Sequence, residues 1–182
     1  MNKHHEIMSK YTVLLLLLIS PLLSSKSFAQ QSDAAATELE TKWQNLKAYA
    51  LEIAEVMPAE FYTFKPTPEQ MTFQSQLTHM ARNIEKLSYS YLLPDEQPDE
   101  SDMILDGKAT IVQILGDAFD VGSRAHQRLS EQELDEKVSF FAGPMTKRQI
   151  RELLHAHQTH HLGQLIVYLR LKGIEPPKYV GW

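Results

Sequence analysis

The 182-residue chain carries eight histidines, and four of them fall within the run His155-Ala156-His157-Gln158-Thr159-His160-His161. Residues four apart on an α-helix stand above one another, so His157 and His161 can direct their imidazoles at one point. Neighbouring residues put that point on the inner side of the helix, because Ile150, Leu154, His157, His161, Leu165 and Tyr168 form one stripe at helical spacing. Neutral imidazoles on an apolar seam need partners. A divalent cation supplies them, and so do hydrogen bonds to tyrosine, glutamate or backbone carbonyl groups; the spacing alone leaves both readings open. Zinc-protease helices also pair histidines four apart, but they need a glutamate directly after the first as general base. Gln158 stands at that position and cannot take a proton, which sets the protease reading aside. His160, three residues from His157, can approach the same face, whereas His155, two residues away, faces elsewhere.

Four helical stretches must position this cluster. Apolar periodicity predicts helices over residues 34–57, 73–93, 108–129 and 147–172, with no alternating strand pattern and no internal repeat, so the fold class is all-α. The first carries Leu39, Trp43, Leu46, Ala50, Ile53 and Met57 and is closed by Pro58. The connection after it holds Phe61, Tyr62 and Phe64, three aromatics read as a plug for one end of the core. In the second helix Phe73, Leu77, Met80, Ile84, Leu87 and Tyr91 make a seam suited to near-parallel bundle packing. His79 lies one step off that seam, in register with Gln76, Asn83 and Lys86, and on spacing alone is a boundary histidine of no special meaning.

Six acidic residues crowd the connection from Pro94 to Asp106, but the spacing and central glycine of a calcium loop are missing, which makes it a solvated acidic loop. In the third helix Gly122 and Ala125 allow a neighbouring helix to come close. The fourth starts behind Thr146 as N-cap, with Gln149 three residues later, and stops at Gly173. Its second half, Leu162 to Leu171, is apolar on nearly every side. Such a segment calls for cover from more than one direction, as at the centre of a bundle or in a homodimer interface.

The chain ends and composition bound the setting. Lys3 and Lys10, the apolar run Val13 to Ile19, Pro21 and the small-x-small Ser27-Phe28-Ala29 read as a signal peptide over residues 1–29, leaving residues 30–182 as one domain. The expected location is periplasmic or secreted, with no membrane association after cleavage. Losing Lys3, Lys10, Lys26 and Glu6 with the leader moves the net charge from −5 to −7, with 15 basic against 22 acidic residues left. An acidic domain without a basic stripe is a poor partner for nucleic acid or an anionic membrane. The chain has no cysteine, which removes disulfides, thiolate ligands and a cysteine nucleophile.

Three separated motifs, Leu77-Thr78-His79-Met80-Ala81-Arg82-Asn83, His157-Gln158-Thr159-His160-His161-Leu162-Gly163-Gln164 and the ending Tyr168 to Pro177, follow an approach segment Met57 to Pro66. In this order they resemble the DinB-like superfamily of metal-binding four-helix bundles, over almost all of the chain after the leader. The resemblance implies a four-helix bundle with long crossover connections and a three-histidine site. Carried over by motif position, its ligands are His79, His157 and His161, holding one divalent metal ion; Zn or Ni is expected first, with Fe, Cu and Mn as further candidates. Asn83 and Gln164 are expected as outer hydrogen-bond donors. The implied activity is a metal-dependent transferase or hydrolase acting on a small molecule, as in relatives that use low-molecular-weight thiols. A non-catalytic metal-binding or stress-related helical module is the alternative. Leu162 departs from the pattern, since many members have arginine there.

Overall fold

The computed structural model describes residues 36–97 and 107–181. The expected signal peptide and most of the acidic connection lie outside the described residues. Residues from Leu39 onward make up one compact unit, and the helical residues 36–38 precede it.

Four long helices carry the fold, as the periodicity predicts. Helix α1 covers residues 36–56, α2 Phe73–Leu87, α3 Gly107–Arg128 and α5 Lys147–Leu171, with a short α4 at Glu131–Leu134. Their apolar faces meet in one core around Trp43, Ile53, Phe73, Leu77, Met80, Ile84, Leu115, Phe119, Leu154 and Leu165. Trp43 of α1 donates its indole N–H to the Phe119 carbonyl of α3 at 2.9 Å and lies over Gly122, where a Cβ would come within 2.9 Å of Trp43 Cε2. The absent side chain is what lets the indole approach the α3 backbone.

The aromatic connection between α1 and α2 plugs the core end, as expected. Tyr62 is buried and donates its hydroxyl to the Ala54 carbonyl at 2.7 Å, and its own carbonyl accepts from the Gln74 N–H, one of the donors that α2 cannot satisfy internally. Thr72 completes the cap by accepting from the Ser75 N–H. Lys172 Nζ lies 4.6 Å from the Phe61 ring centroid and 4.0 Å from that of Phe64, covering the plug from outside.

The α2 seam departs from its expected course at the far end. A π-helical turn, Ser88–Leu92, widens the helix there, closing with a 2.7 Å bond from the Leu93 N–H to the Ser88 carbonyl. One extra residue per turn shifts the stripe, so Leu92 and Leu93 are fully buried while Tyr91 is only half-buried.

Before α5 the chain forms a two-residue antiparallel ladder, β1 Lys137–Val138 against β2 Met145–Thr146, too short to leave an alternating pattern in the sequence. Thr146 then opens α5 with a full capping box, accepting from the Gln149 N–H while Gln149 Oε1 accepts from the Thr146 N–H at 2.9 Å. At the other end the Ile174 N–H bonds the Leu169 carbonyl and the Gly173 N–H bonds that of Arg170, with Gly173 at φ +72°. This is a Schellman stop, and it needs the left-handed conformation glycine supplies. No helix among the described residues is long and apolar enough to cross a membrane.

Candidate metal centre

Helices α2 and α5 pack side by side, and their facing surfaces bring His79, His157 and His161 together. One ligating nitrogen from each ring lies within 4.8 Å of the other two, and it is the one such histidine or acid cluster among the described residues. His157 Nε2 stands 3.1 Å from His79 Nε2, and the His161 ring centroid is 4.7 Å from that of His79 and 4.5 Å from that of His157. Adjacent nitrogens around a tetrahedral ion with bonds of about 2.0–2.1 Å are separated by about 3.3 Å, so the closest pair already has the spacing of two ligands. The same 3.1 Å also suits an N–H···N hydrogen bond between the rings.

Electrostatics favour the neutral, ligating form. Burial pushes the His161 ring down to about 4, with the neighbouring His157, His79 and His160 adding repulsion against a proton. His157 is lowered in the same way, first by burial and then by His79 and His160. At neutral pH both therefore offer lone pairs.

One contact aims His161. Its Nδ1 lies 2.5 Å from Oε1 of Gln76, one turn before His79 on α2 and buried. An amide oxygen can only accept, so Nδ1 carries the proton and Nε2 keeps the free lone pair. Gln76 Nε2 in turn donates to Gln164 Oε1 at 2.7 Å, and Gln164 Nε2 reaches His160 Nε2 at 2.7 Å.

The other expected residues take separate places. His160 is exposed and ends this amide chain outside the three-ring cluster. His155 faces α1, its ring 6.5 Å from that of Trp43, and lines a different cleft of about 300 Å³ with Lys42, Tyr49 and Tyr179. Leu162 is buried on that same cleft side, away from the histidine cluster, so an arginine contact at this position has no counterpart here. Gln164 is linked to the His161 ring by hydrogen bonds through Gln76. Asn83 is engaged with Gln158, its Oδ1 accepting from Gln158 Nε2 at 3.3 Å. Gln76 is the contact the sequence reading missed. Its one signal is a polar residue sharing the boundary register of His79.

The comparisons with known proteins agree with this architecture. Residues 32–181 match the DinB family. The chain belongs to the DinB family. It is 24% identical over 126 residues to the uncharacterized protein YjoA of Bacillus subtilis (strain 168), covering 67% of this chain and 80% of that protein. This DinB-family chain also shares its fold with crystal structures of DinB-like proteins. The B. subtilis YjoA structure aligns with a TM-score of 0.64 at 20% identity, over 78% of this chain and 96% of that one. A DinB-like protein from Bacillus cereus ATCC 10987 aligns at 0.66 and 19% identity, over 78% and 95%.

Proposed function

We propose that this DinB-family protein binds one divalent metal ion through His79, His157 and His161 and uses it in a transfer or hydrolysis reaction on a small molecule. The observation that carries this reading is the convergence of three histidine ring nitrogens from two helices, one of them already directed by Gln76. Three nitrogen donors leave coordination positions for water or substrate, unlike the closed four-ligand set of structural sites. An all-imidazole set suits Zn or Ni first and Fe, Cu or Mn after them. When bound, such an ion lowers the pKa of a coordinated water to about 7 or activates a thiolate.

The protein's own part is positional. Helix α5 holds two rings one turn apart, α2 supplies the third, and the core beneath them keeps both helices in fixed rotation. No carboxylate shares the cluster among the described residues, and the hydrogen-bonding groups around it are the amides of Gln76 and Gln164 and the ring of His160. These neighbours favour chemistry in which the metal-bound group is itself the nucleophile. They equally favour the second reading, a non-catalytic metal-binding or stress-related module, which needs no base at all.

The cobalt(II)-substituted protein separates the two. A catalytic centre changes its visible spectrum when azide, imidazole or a small thiol is added, because an open position admits them. A sealed centre gives an indifferent spectrum, and that result removes the enzyme reading.

We further propose export to the periplasm or exterior with cleavage after Ala29, on the strength of the leader pattern. N-terminal mass analysis of the exported protein checks it. Homodimer formation is proposed through the outer side of α5, where Val167 and Leu171 are exposed. Sedimentation of the wild type against Leu171→Glu is the corresponding test.

A further inference from the structure

Four side chains form an unbroken hydrogen-bonded line from the cluster to the surface: His161 Nδ1 to Gln76 Oε1 at 2.5 Å, Gln76 Nε2 to Gln164 Oε1 at 2.7 Å, and Gln164 Nε2 to His160 Nε2 at 2.7 Å. We propose that Gln76 is a positioning residue that selects the metal-ligating tautomer of His161, and that Gln164, anchored on His160, fixes the direction of the Gln76 amide. This inference rests on the three-histidine reading above and adds how the chain prepares one of its ligands.

The argument is one of donor and acceptor order. A primary amide offers an acceptor at one end and donors at the other, so a line of two amides between two imidazoles has only two self-consistent directions. In the direction seen here, His160 Nε2 accepts from Gln164, Gln164 Oε1 accepts from Gln76, and Gln76 Oε1 accepts from His161 Nδ1–H. The last step leaves His161 Nε2 with a free lone pair, on a ring packed against those of His79 and His157. Reversing the line presents the Gln76 NH2 group to Nδ1, forces the proton onto Nε2 and takes the ligand away. Gln76 is buried away from bulk solvent, so a wrongly directed amide leaves a donor or acceptor unmade. His160 thus serves the site without being a ligand. Its place is the outer stop of the line.

The test uses the full mature chain and needs no assumed substrate. Nitrogen-15 NMR of the metal-free protein should find His161 protonated at Nδ1 in the wild type and shifted toward Nε2–H in Gln76→Met, which keeps the length of the side chain without its acceptor. Gln76→Glu should restore the Nδ1–H form, because a carboxylate accepts from it and Gln164 can turn to donate. Zinc affinity, measured by competition with a chromophoric chelator, should fall about 10–100-fold in Gln76→Met and stay within a few-fold of wild type in Gln76→Glu.

Gln164→Met should lower affinity by a few-fold in the wild type and by nothing further in the Gln76→Met background, since it acts only through Gln76. Half-exposed Gln164 also keeps the proposal testable if Gln76→Met does not fold, through a partial shift from Nδ1–H toward Nε2–H in the Gln164→Met variant alone. An Nε2–H tautomer in the wild type, equal losses in Gln76→Met and Gln76→Glu, or additive effects of the two methionine variants would each overturn it. Absence of zinc binding in the wild type would count against the metal centre, while the tautomer result would still decide the role of Gln76.

Discussion

His79 Nε2 and His157 Nε2 meet at 3.1 Å although 78 residues of chain separate them. The contact exists because the α2 seam and the α5 stripe face one another, so a boundary histidine on one helix comes to stand over a half-buried histidine on the other. If the three rings hold a metal as proposed, replacing either ring, or that of His161, removes one of three protein ligands. Each of His79→Ala, His157→Ala and His161→Ala should lose at least about 100-fold in metal affinity, more than is typical for an outer hydrogen-bond partner. His155→Ala, which faces Trp43, should keep full occupancy. Elemental analysis of the purified variants decides this, and undiminished metal in His79→Ala would break the pairing of α2 with α5 as ligand sources.

Chelation should leave the fold standing. The buried residues around Trp43, Phe73, Phe119 and Leu115 form the core without help from the histidines. Tight metal binding adds stability by mass action, about 2.7 kcal/mol at a hundredfold excess over Kd, which for a domain of this size corresponds to a Tm change of about 5–10 °C. Circular dichroism melting with and without chelator measures it. Loss of helicity at ambient temperature would instead mark the ion as a structural staple.

His126 should make the protein acid-labile independently of any metal. Its ring is buried edge-on against Trp43, 4.5 Å between centroids, and neither nitrogen has a hydrogen-bond partner among the described residues. Burial first, then the Arg151 guanidinium and His155 of α5, hold it down at about 4 against an ordinary value of 6.5, with Glu40 of α1 pulling the other way. Because the unfolded chain takes up this proton near 6.5 and the native chain does not until about 4, the stability conferred by neutral His126 is full above 6.5. It is lost as pH falls from there to 4, by about 3 kcal/mol in all. Urea midpoints at pH 7.5 and 4.5 should therefore differ less in His126→Phe than in the wild type. Equal differences would mean that the ring is solvated.

Two glycines should respond in opposite directions. A Cβ at Gly122 overlaps the Trp43 ring, which its bond to the Phe119 carbonyl holds in place, so Gly122→Ala should destabilise by about 1–3 kcal/mol. Gly163 sits inside α5 with nothing among the described residues within 4 Å of an added Cβ. Gly163→Ala should stabilise by about 0.5–1 kcal/mol, the ordinary helix-interior gain. Chemical denaturation of both variants checks the contrast.

How far the sequence disclosed the site follows from where each signal is stored. His157 and His161 were legible because four-residue spacing acts within one helix, and the four long helices followed from apolar periodicity alone. The place of His79 could not be read from spacing, since nothing within α2 says which of its residues stands opposite α5; the family resemblance supplied it. Gln76 stayed hidden for the same reason, its partner being 85 residues away. The shift from Tyr91 to Leu92 and Leu93 arises from one widened turn, a backbone choice without a residue signature of its own.

The ladder ahead of α5 has a consequence for how this chain tolerates changes of length. Thr146 is fixed twice, as the strand partner of Lys137 and as the cap of the helix, so the start of α5 does not depend on the length of the loop over residues 139–144, where Phe141 is almost fully exposed. Residues can be gained or lost at that tip with little effect downstream. A single insertion between Thr146 and His157 is different in kind: it swings both imidazoles by about 100° around the helix axis, while every apolar contact before it stays in place.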